Sequence, residues 1–97
     1  MLTTIKNFTT DLINSSHDIK LEDAAIYNNK KLSVTISKKG YMASFEIVSS
    51  LEYDFLAINS GDETIVFNDS KKFDTVKELC SKIKEDYNAF STLKYSV

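Results

Sequence analysis

The sequence predicts a two-layer α+β domain. An N-terminal helix is followed by an antiparallel meander of about four strands and a long C-terminal helix, with both helices on one face of the sheet. Three observations predict it. Apolar residues recur at helical spacing at both ends of the chain. Between them the pattern changes to two-residue alternation, broken every eight to ten residues by short polar turns. Each helical end carries an apolar stripe to bury, and one face of the sheet is the only partner large enough.

Leu2, Ile5, Phe8, Thr9, Leu12 and Ile13 form the first stripe, which predicts a helix of about 13 residues ended by "NSSHD". "IKLEDAAIYNN" is ambiguous: Ile19 and Leu21 alternate, whereas "LEDAAIY" also fits a helical turn, and a short strand or extended segment is expected. "KLSVTIS" alternates cleanly and is rich in β-branched residues. "KKG" turns the chain, with Gly40 free to take a positive φ. "YMASFEIV" follows, then "YDFLAIN" and "TIVFN" flank the turn "SGDE". These last two strands carry apolar residues on both faces, so they are central or lend one face to a partner. Thr75 and Glu78 have the spacing of a capping box. Val76, Leu79, Cys80, Ile83, Tyr87 and Phe90 then mark one side of a helix running to about residue 93, with Glu78–Lys82 and Lys82–Asp86 as solvent-side pairs.

Ninety-seven residues make one domain. Hydrophobic content of 42% and charged content of 27% suit a globular chain. There is one Cys, so no internal disulfide forms and a reducing, cytoplasmic setting is expected. "MLTTIKNFTTDL" lacks the basic start and apolar run of a secretory leader, and no apolar stretch is long enough for a membrane helix. The net charge is -2 and Arg is absent, which argues against a nucleic-acid surface.

The chemistry of catalysis is missing. His17 lies in a polar turn, and Cys80 lies on an apolar helix stripe where a thiol packs as a small hydrophobe. Metal ligation by His and Cys needs several such residues at set spacing. Two glycines cannot build a phosphate-binding loop. No enzyme, cofactor or metal site is expected. What remains is charge placement: residues 40–70 hold Glu46, Glu52, Asp54, Asp62, Glu63 and Asp69 and not one Lys. Such a stretch is either a solvated surface that resists aggregation or a face for a basic partner. On the second view the acids surround a dry centre of exposed apolar neighbours, with Met42, Val48, Tyr53 and Phe55 as candidates.

The run "YMASFEIVSSLEYDFLAINSGDETIVFNDSKKFDTVKEL", followed by the helix containing "DYNAFSTL", resembles the small bacterial immunity proteins of polymorphic toxin systems, most of all the type called TriTu. The similarity covers residues 26–93: a Tyr-led strand, an acidic hairpin with a Ser-Gly-Asp turn, and a capped helix. Phe45 stands where that family often has Trp. The resemblance implies a non-enzymatic cytoplasmic protein that binds and neutralises one toxin, often a basic nuclease; a monomer or weak dimer is expected. The residues alone also fit an inhibitor from a phage or mobile element that mimics nucleic acid, or a secretion chaperone.

Overall fold

The computed structural model describes residues 1–94. The elements are α1 (Leu2–Asn14), β1 (Lys20–Tyr27), β2 (Lys31–Lys38), β3 (Tyr41–Val48), β4 (Glu52–Asn59), β5 (Ile65–Lys72) and α2 (Val76–Ser91). The strands form one antiparallel sheet in the order β1-β2-β3-β4-β5. The α+β meander is as expected, with five strands rather than about four. The additional full strand is β1, where an irregularity between Leu21 and Asp23 leaves Glu22 out of the ladder. That bulge breaks the alternation: Leu21, Ala24 and Ile26 lie opposite the inward Ile36, Val34 and Leu32, so no single period fits the segment.

Short turns fix the register. Asn28 and Asn29 both have positive φ, 52° and 56°, which Asn tolerates better than most residues, and Lys30 N donates to Tyr27 O at 2.9 Å. Gly40 has φ 85° in the β2–β3 turn. Leu51 is unusual, an apolar residue at φ 66°. Its side chain packs against the core and its carbonyl accepts from Phe73 N at 3.0 Å, so burial and one hydrogen bond hold it there.

The register aligns three inward rows across β2, β3 and β4: Leu32–Ile47–Tyr53, Val34–Phe45–Phe55 and Ile36–Ala43–Ala57. All nine residues are buried. Phe45 and Phe55 meet with ring centroids 4.8 Å apart, and Phe67 extends the contact at 6.4 Å from Phe55. Leu2, Ile5 and Ile13 of α1 and Leu79, Ile83, Tyr87 and Phe90 of α2 belong to the same core, so both helices cover this one face. Thr9 is buried within α1 and satisfies its hydroxyl by donating to Ile5 O at 2.8 Å.

The second helix is held at both ends. At its start Thr75 Oγ1 accepts from Glu78 N at 3.1 Å and donates to Glu78 Oε1 at 3.0 Å, which is the expected capping box. At its other end Lys38 Nζ donates to Ser91 O at 2.9 Å and Tyr41 Oη to Lys94 O at 3.1 Å. A cation from the β2–β3 hairpin thus meets carbonyls that a helix terminus leaves without partners.

Two substitutions grade these contributions in urea unfolding. Phe55→Ala is expected to cost about 3–5 kcal/mol, because it empties the centre of the aromatic row. Thr75→Ala is expected to cost about 1 kcal/mol through loss of the cap. A Phe55→Ala loss no larger than that of the exposed cap would contradict the placement of the core.

Candidate interaction surface

Side chains alternate across a strand, so the residues between the inward rows face away from the helices. On β2 to β5 these form cross-strand rows of their own: Ser33–Glu46–Asp54–Ser70 and Thr35–Ser44–Leu56–Asn68, with Ser37–Met42–Ile58–Ile65 beyond them. β1 adds Ala25 and Asp23 to the first two. Among the described residues no element covers this face. Toward the end with the β2–β3 and β4–β5 turns it is apolar: Met42 and Leu56 are each 39% exposed and Ile65 59%, with Ile58 half-buried between Met42 and Ile65.

Glu46 and Asp54 stand directly opposite each other on the two central strands. Like charges at that separation destabilise a sheet. Each carboxylate therefore has a local partner. Lys31 Nζ lies 2.7 Å from Glu46 Oε1, and Ser70 Oγ donates to Asp54 Oδ1. The hydrogen bond to Glu46, with the charge of Glu46 and then of Asp54, holds the Lys31 ammonium above its ordinary pKa. Glu52 sits at the lower rim opposite Lys72 and accepts from Ser50 Oγ at 2.7 Å. Two more acids lie on this face, Asp23 opposite Thr35 and Glu22, which accepts from Ser37 Oγ at 2.8 Å. Sequence reasoning missed both because the bulge hid the phase of β1. The open face thus carries Glu22, Asp23, Glu46, Glu52 and Asp54 against Lys20, Lys31 and Lys72, a negative balance.

The other expected residues lie elsewhere. Tyr53 and Phe55 are 1% and 0% exposed in the inward rows, so neither is available to a partner. In "YDFLAIN" both phases are apolar, and packing under α2 chose Tyr53, Phe55 and Ala57 over Leu56 and Ile58. Asp62 and Glu63 are in the β4–β5 turn, not on a strand. Asp62 accepts from Thr64 N at 3.0 Å, and its interactions with Thr64 hold its carboxyl below the usual range. Asp69 faces the helix side and pairs with Lys82 of α2 at 3.3 Å. It is withdrawn from the open face.

Asp69 belongs instead to a partly buried polar cluster between β5 and α2. Asp86 was expected on the solvent side of α2 and is only 4% exposed. It accepts from Tyr53 Oη at 2.6 Å and from Lys82 Nζ at 3.2 Å. Burial pushes the Asp86 carboxyl up, while a hydrogen bond with Asp86 holds Asp69 down. The two carboxyls are thus pushed in opposite directions, Asp86 up by burial and Asp69 down. Burial, with help from Asp86, also raises the Tyr53 phenol. Lys82 is pulled down by burial but raised more by Asp86 and Asp69, so it stays cationic. A shallow groove of about 710 Å³ adjoins the cluster, lined by Lys71, Phe73, Lys77, Glu78, Lys82 and Glu85 among others. Its charges are mixed and it selects no ligand class. Burial raises the Cys80 thiol, which suppresses the reactive thiolate. No three His, Cys, Asp or Glu side chains converge to hold a metal ion among the described residues. No described helix is long and apolar enough to cross a membrane.

The cluster has a pH signature. An acid whose folded pKa is raised binds more protons when folded, so its contribution to stability falls as pH rises from the ordinary aspartate value through the folded one. Asn removes the titrating group while its carbonyl can still accept from Tyr53 Oη, at the cost of the Lys82 pair. The stability of Asp86→Asn minus that of the parent should therefore be more favourable at pH 7 than at pH 4, measured by urea unfolding at both pH values. Asp86→Ala should lose about 1–3 kcal/mol by orphaning the Tyr53 hydroxyl. An Asn variant whose difference from the parent is the same at both pH values would contradict the raised Asp86.

No protein-family model, curated protein or solved structure matches the chain.

Proposed function

We propose that the chain is a non-enzymatic immunity protein that neutralises a basic toxin by docking it against the open face of the sheet. The observation that carries this reading is the direct opposition of Glu46 and Asp54, with exposed Leu56 in the next row and exposed Met42 and Ile65 in the row after it. Two carboxylates facing each other cost stability, and Lys31 contacts only one of them. A cation from a partner would relieve that repulsion on binding. Glu22, Asp23 and Glu52 extend the negative field, which steers a basic partner toward the face, and the apolar end of the face then expels water. One face of a five-stranded sheet supplies the roughly 800 Å² per partner of an ordinary specific interface. Neutralisation would be steric: basic residues that normally grip a nucleic acid would be occupied by these acids. The protein would act in the cytoplasm as a monomer or weak dimer, with no cofactor.

Co-expression with the product of the neighbouring gene, followed by co-purification, identifies the partner. Stopped-flow association then tests the surface. The double substitution Glu46→Lys with Asp54→Lys should slow association by at least about tenfold at low salt and flatten its salt dependence. The variant loses the Lys31–Glu46 pair and again sets like charges opposite each other, so a modest loss of stability is expected, and urea unfolding confirms that it is folded under the association conditions. Association rates and salt slopes equal to the parent's would remove the acidic face from the mechanism.

A further inference from the structure

The open face has a concave spot as well as a charge. A depression of about 170 Å³ lies between the Thr35–Ser44–Leu56 row and the Met42–Ile58 row, lined by Thr35, Met42, Ala43, Ser44, Leu56 and Ile58. Positions on the solvated face of an antiparallel sheet are ordinarily polar, yet β3 and β4 place Met, Leu and Ile here. The depression is open to solvent on one side, so a side chain seated in it would be buried against the sheet on one face. The spot also has a fixed relation to the carboxylates. Ser44 and Leu56 are two residues along their strands from Glu46 and Asp54, about 7 Å, and Met42 and Ile58 are four residues away, about 13 Å.

We propose that this depression is an anchor pocket for one large apolar side chain of the partner, presented beside a Lys or Arg that reaches the Glu46–Asp54 pair. The inference rests on the docking role proposed above and names the recognition element within it. Pocket and carboxylates are neighbouring rows of one face, so a single short segment engages both. Met42, unbranched and polarizable, lets the rim adapt to an aromatic ring or a branched aliphatic chain. A second copy of this chain is the poorer occupant, because it would bring a second negative face against the first.

The test uses the full chain and three small probes, followed by NMR of backbone amides. The probes are 4-phenylbutylguanidinium, butylguanidinium and 4-phenyl-1-butanol. The linked probe should shift Met42, Ser44, Leu56 and Ile58 together with Glu46 and Asp54. It should bind at least about tenfold more tightly than butylguanidinium, as expected when an aromatic ring leaves water. Leu56→Ser should abolish that gain, and Asp54→Asn should weaken both guanidinium probes. A linked probe no tighter than butylguanidinium, or a gain that survives Leu56→Ser, overturns the anchor pocket. If butylguanidinium alone still shifts Glu46 and Asp54, the acidic docking face stands without it. Failure of the docking role itself shows separately, in the association rates of the charge-reversed protein.

Discussion

One-sided burial is the constraint from which the rest of the structure follows. Three inward rows on β2, β3 and β4 bind both helices to the same face of the sheet. Strand side chains alternate, so each inward residue commits its neighbours to the opposite face. Phe45 buried means Glu46 and Ser44 turned to the other side; Phe55 buried means the same for Asp54 and Leu56. A slip of one residue in β4 would bury Asp54 and expose two aromatics. The acidic and apolar character of the open face is therefore set by the same packing that makes the core.

The helix side has its own polar exception. Tyr53 occupies an inward row and needs a partner for its hydroxyl, and Asp86 supplies one from α2. Asp86 in turn needs compensation for its burial, which Lys82 and Asp69 provide. A chain of four side chains thus ties a central strand, the last helix and an edge strand. It also explains why Asp69 does not add to the field on the other face. On β5, Asp69 is held toward the helix while the next residue, Ser70, bonds Asp54 on the open side. The edge strand is pinned from both faces.

Much of this was legible in the sequence. Clean alternation in "KLSVTIS" and a helical stripe from Val76 to Phe90 located β2 and α2, and Thr75 with Glu78 marked the start of that helix. Legibility failed where periodicity carried no information. A bulge at Glu22 broke the phase of β1 and concealed two acids of the open face. In β4 both phases are apolar, so the choice of Tyr53 and Phe55 as core residues came from tertiary packing under α2. Asp86 looked like one half of a solvent-side helical pair because its role depends on Tyr53, 33 residues away in sequence. The lysine-free stretch from Gly40 to Ser70 was visible, but its six acids divide among the open face, a turn and the helix side.

The central claim is that the uncovered face of the sheet, rather than the helices or the β4–β5 turn, receives a cationic partner. Carboxyl footprinting tests it most directly: carbodiimide-driven labelling of the chain alone and bound to the protein it co-purifies with, read by mass spectrometry. Protection at Glu46 and Asp54, with Asp74, Glu78 and Glu85 labelled equally in both states, is the predicted result. Unchanged labelling of Glu46 and Asp54, with protection moved to α2 or to Asp62 and Glu63, would contradict it.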